Sequence, residues 1–160
     1  GILLNNRLTG FSLDPQSPNI IAPGKRPAHT LNAFTAVHPD GSLYLVGGTP
    51  GANIQVQSNL QLLINVIDLK MNVQEATEAP RWQHLNAAGQ SSEEEKGAGV
   101  LEIENRVSAE VLEQLRAKGH EVKALSAWGH GSSVQMMEVL ANGTFAFGSD
   151  PRCEGHASGI

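Results

Sequence analysis

The stretch LVGGTPGANIQVQ (residues 45–57) holds, in order, an apolar run, two glycines, a Thr-Pro-Gly-Ala turn and the opening of a helical pattern. The run reads as a strand that ends in Gly47 and Gly48. A glycine-rich turn between strand and helix brings backbone N–H groups close to something negative, either a phosphate or an oxyanion formed in a reaction. A Walker-type phosphate loop needs Lys and Ser or Thr after its last glycine, and Ala52 and Asn53 stand there instead. The dinucleotide fingerprint needs three spaced glycines inside a βαβ unit, whereas this turn follows a hairpin. GTPG (residues 48–51) also fits the loop by which some RNA-binding modules grip a backbone, but no basic residues surround it. The oxyanion reading remains, beside the plainer one of a tight turn in which glycine supplies unusual dihedrals.

Working outward, residues 31–37 form an apolar-leaning strand, HPDGS (38–42) supplies an Asp-Gly turn, and LYLVGG (43–48) returns as the hairpin's second strand. Beyond the turn, Ile54, Leu60, Leu63, Ile64 and Ile67 recur at near-helical spacing and give a helix to about Asp68. A shorter helix follows, with Asn72 as its N-cap and Pro80 as its stop. Residues 83–98 are the loosest part, with 86–98 expected to be a flexible loop around Glu93, Glu94 and Glu95. GVLEIEN (99–105) alternates as a strand, Ser108 caps an amphipathic helix that ends at Gly119, and HEVKAL (120–125) is a further strand. Residues 132–150 form a hairpin with Asn142-Gly143 at its tip. The first thirty residues, rich in Pro, Asn, Gly and Ser, read as ordered loop. Hairpins alternating with helices give an α/β layered fold with a largely antiparallel sheet.

Length and composition bound the function. The 160 residues suit a single domain, large enough to bury roughly 70% of the surface of its unfolded chain. A net charge of −5 argues against a nucleic-acid partner, and no apolar run is long enough to span a bilayer. The single cysteine, Cys153, reads as a free thiol rather than a nucleophile. It leaves the compartment open between cytoplasmic and periplasmic or secreted. His130 and His156 invite a metal reading, but no ligand set with zinc-like spacing accompanies them, so neither metal nor other cofactor is expected. The opening GILLNN, without a methionine, suggests a piece of something longer.

GILLNN (1–6), PGKRPAHTLNAF (23–34), VGGTPGANIQVQ (46–57), MNVQEATEAPRW (71–82) and FGSDPR (147–152) occur in an order that resembles the gamma-glutamyltranspeptidase family, over nearly the whole chain. The chain looks like most of the small subunit of such an enzyme, in the acylase- or amidohydrolase-like branch. The resemblance implies part of an N-terminal-nucleophile hydrolase with an αββα sandwich. It also implies a precursor that cuts itself to free an N-terminal threonine, whose own α-amine activates the hydroxyl. That threonine and the large subunit, the implied protein partner, are expected to lie outside this chain. The implied substrate is a small-molecule amide, cleaved by hydrolysis or acyl transfer, with no nucleic acid or membrane involved.

Carried over by position, Gly51 and Ala52 fall on the family's oxyanion-hole pair. Ala52 keeps its N–H at a cost of about 1–2 kcal/mol if its backbone must be left-handed. His29 and Thr30 fall where the family has two serines that contact the substrate carboxylate, and both can donate to an anion. Asn6, with Asn5, is expected to brace the loop near the active centre, and DPR (150–152) to form a turn with an ion pair. Two departures stand out. Arg7 replaces an acidic or amide residue and Gly10 replaces an Asp, groups that hold the ammonium of a γ-glutamyl donor. An arginine there repels an ammonium. A dicarboxylic or keto-acid monoamide, such as a glutaryl or oxalyl amide, suits it better than glutathione, with Arg7 pairing the carboxylate. The alternatives are that Arg7 points to solvent, or that the chain is a truncated, non-catalytic relative serving as a binding or structural module.

Overall fold

Two short turns set up the larger sheet. A computed structural model describes residues 1–85 and 99–156. In it β1 (Phe34–Val37) and β2 (Leu43–Gly48) pair antiparallel, as do β6 (Gln135–Val139) and β7 (Phe145–Ser149). Both tips close alike. Asp40 Oδ1 accepts from the Ser42 amide at 2.9 Å, and Asn142 Oδ1 accepts from the Thr144 amide at 3.1 Å, the side-chain turn that these residue types favour. β2 then pairs antiparallel with β6, giving a four-stranded sheet in the order β1-β2-β6-β7.

The chain between β2 and β6 builds helices and a second sheet. A short 3-10 turn (Ala52–Ile54) leads into α1 (Gln55–Ile67), and α2 (Val73–Glu78) follows. The expected cap at Asn72 is present as a full capping box. Its side chain accepts from the Glu75 amide, and the Glu75 carboxylate accepts from the Asn72 amide. β3 (Trp82–Leu85), β4 (Val100–Glu104) and β5 (Glu121–Leu125) form a three-stranded sheet in that order. β3/β4 is antiparallel, and β4/β5 is parallel with α3 (Ala109–Ala117) as the crossover. Ser108 caps α3 by accepting from the Val111 amide at 3.4 Å.

The core lies between the four-stranded sheet and the first two helices. Leu45, Val134 and Met136 from the sheet side meet Leu62 and Val66 of α1 and Val73 and Ala76 of α2. α2 lies very close to β7: a side chain at Gly148 would run into the Val73 carbonyl, so only glycine admits this approach.

Two expectations are corrected. The helix over 55–67 forms, but its apolar residues divide between two sides. Leu62 and Val66 are buried with Gln55, Ser58, Asn59 and Gln61, while Val56, Leu60, Ile64 and Ile67 are exposed. Residues 83–85, expected to open a loose segment, instead belong to β3, which runs to Leu85. The cause is a pair of glutamines one helical turn apart. The Gln61 side-chain amide takes the Trp82 N–H and donates to the Trp82 carbonyl, and Gln57 does the same for His84. The free edge of β3 is thereby paired by side chains of α1 in place of another strand. Residues 86–98, expected to be a flexible loop, lie outside the described residues.

The chain forms two compact units, Gly1–Leu31 and Asn32–Ile160. The first is irregular, as its composition predicts, with a 3-10 turn over Arg7–Gly10 and one isolated bridge between Ser12 and Ile20. Among the described residues, no helix is long and apolar enough to cross a membrane.

Candidate active site

The turn between β2 and α1 combines two successive positive-φ residues with the start of a helix. Gly51 has φ 137°, which admits glycine, and Ala52 has φ 48°, in the left-handed region that costs an alanine about 1–2 kcal/mol. A side chain at Gly51 would meet Ile54 Cγ1 at 2.7 Å. The Gly51 carbonyl accepts from the Ile54 amide at 3.0 Å and starts the helix. Among the described residues, the amides of Gly51 and Ala52 donate no hydrogen bond, and Ala52 is exposed. Two unengaged donors in succession at a helix N-terminus can receive a developing negative charge.

The turn is anchored at Thr49, which is 8% exposed. Its hydroxyl donates to the Pro50 carbonyl at 2.7 Å and accepts from the Ser133 amide at 2.9 Å. Ser133 belongs to a loop in which three other amides are also held. His130 N–H donates to Glu104, Ser132 N–H to His130 Nδ1 at 3.1 Å, and Val134 N–H to Asp150 Oδ2 at 2.9 Å.

Behind this loop lies a buried charge cluster. Arg81 Nη1 donates to Asp150 Oδ2 at 2.6 Å and to Ser132 Oγ at 2.7 Å. Arg152 donates to both oxygens of Glu104 and, at 2.9 Å, to Asp150 Oδ1. Glu104 also takes the Arg81 amide and the Arg106 guanidinium, whose Cζ lies 3.6 Å from the centre of the Trp128 ring. Burial pushes the Glu104 and Asp150 carboxyls up. The Arg152 contacts of Glu104, and the Val134 amide and Arg81 charge beside Asp150, outweigh it and hold both below the ordinary carboxylate range. Burial first, and the Arg81 charge second, depress His130 to about 4, so its imidazole is neutral at pH 7. Its Nδ1 accepts from Ser132, which puts the proton on Nε2. That atom is buried without a hydrogen-bond partner among the described residues. The expected DPR turn with its ion pair is present as the Asp150–Arg152 contact within this cluster.

In the first unit, Arg7 and Thr30 come together. Arg7 is half-buried and its Nη1 donates to Thr30 Oγ1 at 3.2 Å, so it does not simply point to solvent. His29 is exposed and Asn6 is exposed, and neither side chain has a hydrogen bond among the described residues. The loop is braced by Asn5, whose Oδ1 accepts from the Arg7 amide at 3.0 Å. Asn6 contributes only its carbonyl, to Thr9.

Reading the sequence did not single out Thr49, Ser133, Glu104 or Arg81. The alternation of β4 sets Glu104 on the face opposite Leu101 and Ile103, where a solvent-facing carboxylate is expected, so its burial carries no local signal. Thr49 and Ser133 carry no local signal, because the contact joins positions 84 apart. Among the described residues, no group of three His, Cys, Asp or Glu side chains is placed to hold a metal ion.

The model of the gamma-glutamyltranspeptidase family matches residues 1–160. The glutathione hydrolase proenzyme of Escherichia coli is 36% identical over 162 residues, covering 95% of this chain and 26% of that protein. The oxamate amidohydrolase proenzyme of Klebsiella pneumoniae is 36% identical over 163 residues, covering 99% of this chain and 29% of that protein. The chain thus spans between a quarter and a third of the length of these relatives. Among solved structures, a mutant of Helicobacter pylori gamma-glutamyltranspeptidase superposes with a TM-score of 0.76 at 28% identity, over 96% of this chain and 82% of that one. The cephalosporin acylase of Bacillus halodurans does so with a TM-score of 0.77 at 29% identity, over 98% of this chain and 28% of that one. The fold is therefore the corresponding part of the N-terminal-nucleophile hydrolase sandwich. Matched along its whole length by the family model, the chain belongs to the gamma-glutamyltranspeptidase family.

Proposed function

We propose that this chain supplies the oxyanion donors and the carboxylate-binding groups of an autoprocessing threonine amidohydrolase or acyltransferase whose acyl substrate lacks an α-ammonium. The nucleophilic threonine comes from outside this chain, as does the large subunit of the same precursor. The threonine hydroxyl attacks the amide carbonyl while its α-amine takes the proton. The carbonyl oxygen becomes an oxyanion, to which the Gly51 and Ala52 amides donate. The α-amine passes that proton to the departing nitrogen as the adduct collapses, which expels the amine and leaves an acyl ester that water or an acceptor amine resolves. Such donors are worth about 3–4 kcal/mol each in a dry site.

The observation that carries the specificity is the Arg7–Thr30 contact. It gathers a fixed positive charge and a hydroxyl at positions the family uses for the substrate's charged end, and Arg7 suits a carboxylate bidentately. His29 and Asn6 serve as further polar contacts to that acid. Glutaryl and oxalyl monoamides fit this charge pattern. The similarity to an oxamate amidohydrolase supports it, since oxamate carries a carboxylate and no ammonium. The similarity to a glutathione hydrolase supports the wider class of acyl amides.

Kinetics of the full-length protein on glutaryl-p-nitroanilide and γ-glutamyl-p-nitroanilide test the reading. The glutaryl compound is expected to have the larger kcat/KM. A clear preference for the γ-glutamyl compound sinks the Arg7 argument. Mass spectrometry of the same preparation should find two chains, the smaller opening with threonine. A single uncut polypeptide removes the proposed nucleophile.

A further inference from the structure

The two free amides need aiming as well as exposing. A peptide group is planar and trans, so its N–H points opposite to its own C=O. Whatever holds the carbonyl therefore sets the direction of the amide. No cis peptide occurs among the described residues. For Ala52 the carbonyl of the same peptide is that of Gly51, and the first turn of the helix holds it through the Ile54 amide at 3.0 Å. For Gly51 the carbonyl is that of Pro50, and what holds it is the Thr49 hydroxyl at 2.7 Å.

We propose that Thr49 is the positioning residue of the oxyanion turn, fixing the Pro50–Gly51 peptide plane and with it the direction of the Gly51 N–H. This inference rests on the oxyanion role proposed above for Gly51 and Ala52. The hydroxyl is well suited to it because both its functions are engaged. Its proton goes to the Pro50 carbonyl and its lone pair takes the Ser133 amide at 2.9 Å. The second contact fixes the first. Ser133 lies between Ser132, bonded to Arg81, and Val134, whose amide is bonded to Asp150, so the buried charge cluster sets where the hydroxyl sits. Without it the Pro50–Gly51 plane is free to rotate, since Gly51 tolerates either hand of φ. The N–H then swings off the oxyanion while the turn, held by Ile54, survives.

The test uses the full-length, processed enzyme and three variants, with kcat and KM measured separately on both anilides. Thr49→Val keeps the side-chain shape and removes both hydrogen bonds. It is expected to lower kcat about 10- to 100-fold with KM within about twofold, because a misaimed donor is lost mainly in the transition state. Thr49→Ser restores the hydroxyl and is expected to return kcat to within about threefold of the parent. Gly51→Ala disrupts the turn itself and is expected to cost about 100-fold or more. If Gly51→Ala abolishes turnover while Thr49→Val leaves kcat unchanged, the positioning role is wrong and the oxyanion reading stands. If neither variant lowers kcat, the oxyanion reading falls and takes this inference with it. A Thr49→Val whose loss lies in KM, or a Thr49→Ser that loses as much kcat as Thr49→Val, also overturns it. Should Thr49→Val fail to accumulate, Thr49→Cys, a weak acceptor of similar size, replaces it with the same expected order of rates.

Discussion

Arg81 and Asp150 meet at 2.6 Å between Nη1 and Oδ2 with both side chains withdrawn from water. The pair bridges the segment after α2 to the end of β7, and through Ser132 and Val134 it fixes the loop that reaches Thr49. Breaking such a pair on one side leaves a buried charge without its partner, at a cost of about 3–5 kcal/mol. Arg81→Met is expected to destabilise the protein by that amount in chemical denaturation, and replacing both partners by apolar residues to cost less than the two single changes summed. A loss below about 1 kcal/mol for Arg81→Met would show that Arg152 alone carries the cluster.

Ala52 at φ 48° makes a second prediction. Glycine relieves the left-handed strain but raises the entropy of the unfolded chain, so Ala52→Gly is expected to stabilise by about 0.5–1 kcal/mol. The N–H is kept, and kcat should stay within about twofold. A lower melting temperature for Ala52→Gly would show that its methyl has a packing role.

The hairpins, the Asn72 and Ser108 caps and the strand-turn-helix unit were legible because each rests on neighbours in sequence. The tight turn at Gly51 and Ala52, with both residues at positive φ, was legible from glycine placement and family register together. What was hidden depends on distant partners. The buried side of α1 is half polar because Gln61 and Gln57 serve the edge of β3, and no periodicity of apolar residues announces that. Glu104 looks like one more carboxylate in an alternating strand until Arg152, 48 positions on, is folded against it.

The exposed side of α1 supplies a third prediction. Val56, Leu60, Ile64 and Ile67 follow one another at helical spacing and are 63, 53, 39 and 38% exposed. An apolar stripe of this kind favours self-association. The chain expressed alone is expected to bind an environment-sensitive hydrophobic dye and to sediment as a mixture of oligomers, and Leu60→Gln with Ile64→Gln to reduce both. A dye-silent, monodisperse parent chain contradicts this.

Arg7→Gln tests selectivity directly. A charge-assisted hydrogen bond to a carboxylate is worth about 1.5–3 kcal/mol, so kcat/KM for glutaryl-p-nitroanilide should fall about 10- to 100-fold. The γ-glutamyl compound should lose less or improve, because the repulsion of its ammonium goes with the arginine. Equal losses on both compounds would assign Arg7 to the loop's structure through Thr30 and remove it from recognition.

His130 makes stability depend on pH in a window of its own. In the unfolded chain a histidine takes up its proton as pH falls through about 6.5, whereas folded His130, buried and beside Arg81, resists until about 4. Between those values the unfolded state binds more protons, so stability falls as pH falls. The depressed carboxyls of Glu104 and Asp150 act with the same sign, but their contribution is lost only below their ordinary values of 4.5 and 3.8. The loss between pH 6.5 and 4.5 therefore reports the histidine, and on the order of 2 kcal/mol is expected there. His130→Asn keeps an acceptor near the position of Nδ1 for the Ser132 amide and removes the titration, so its denaturation midpoint should be flatter over that window. An unchanged slope in the variant would move the pH dependence to another group.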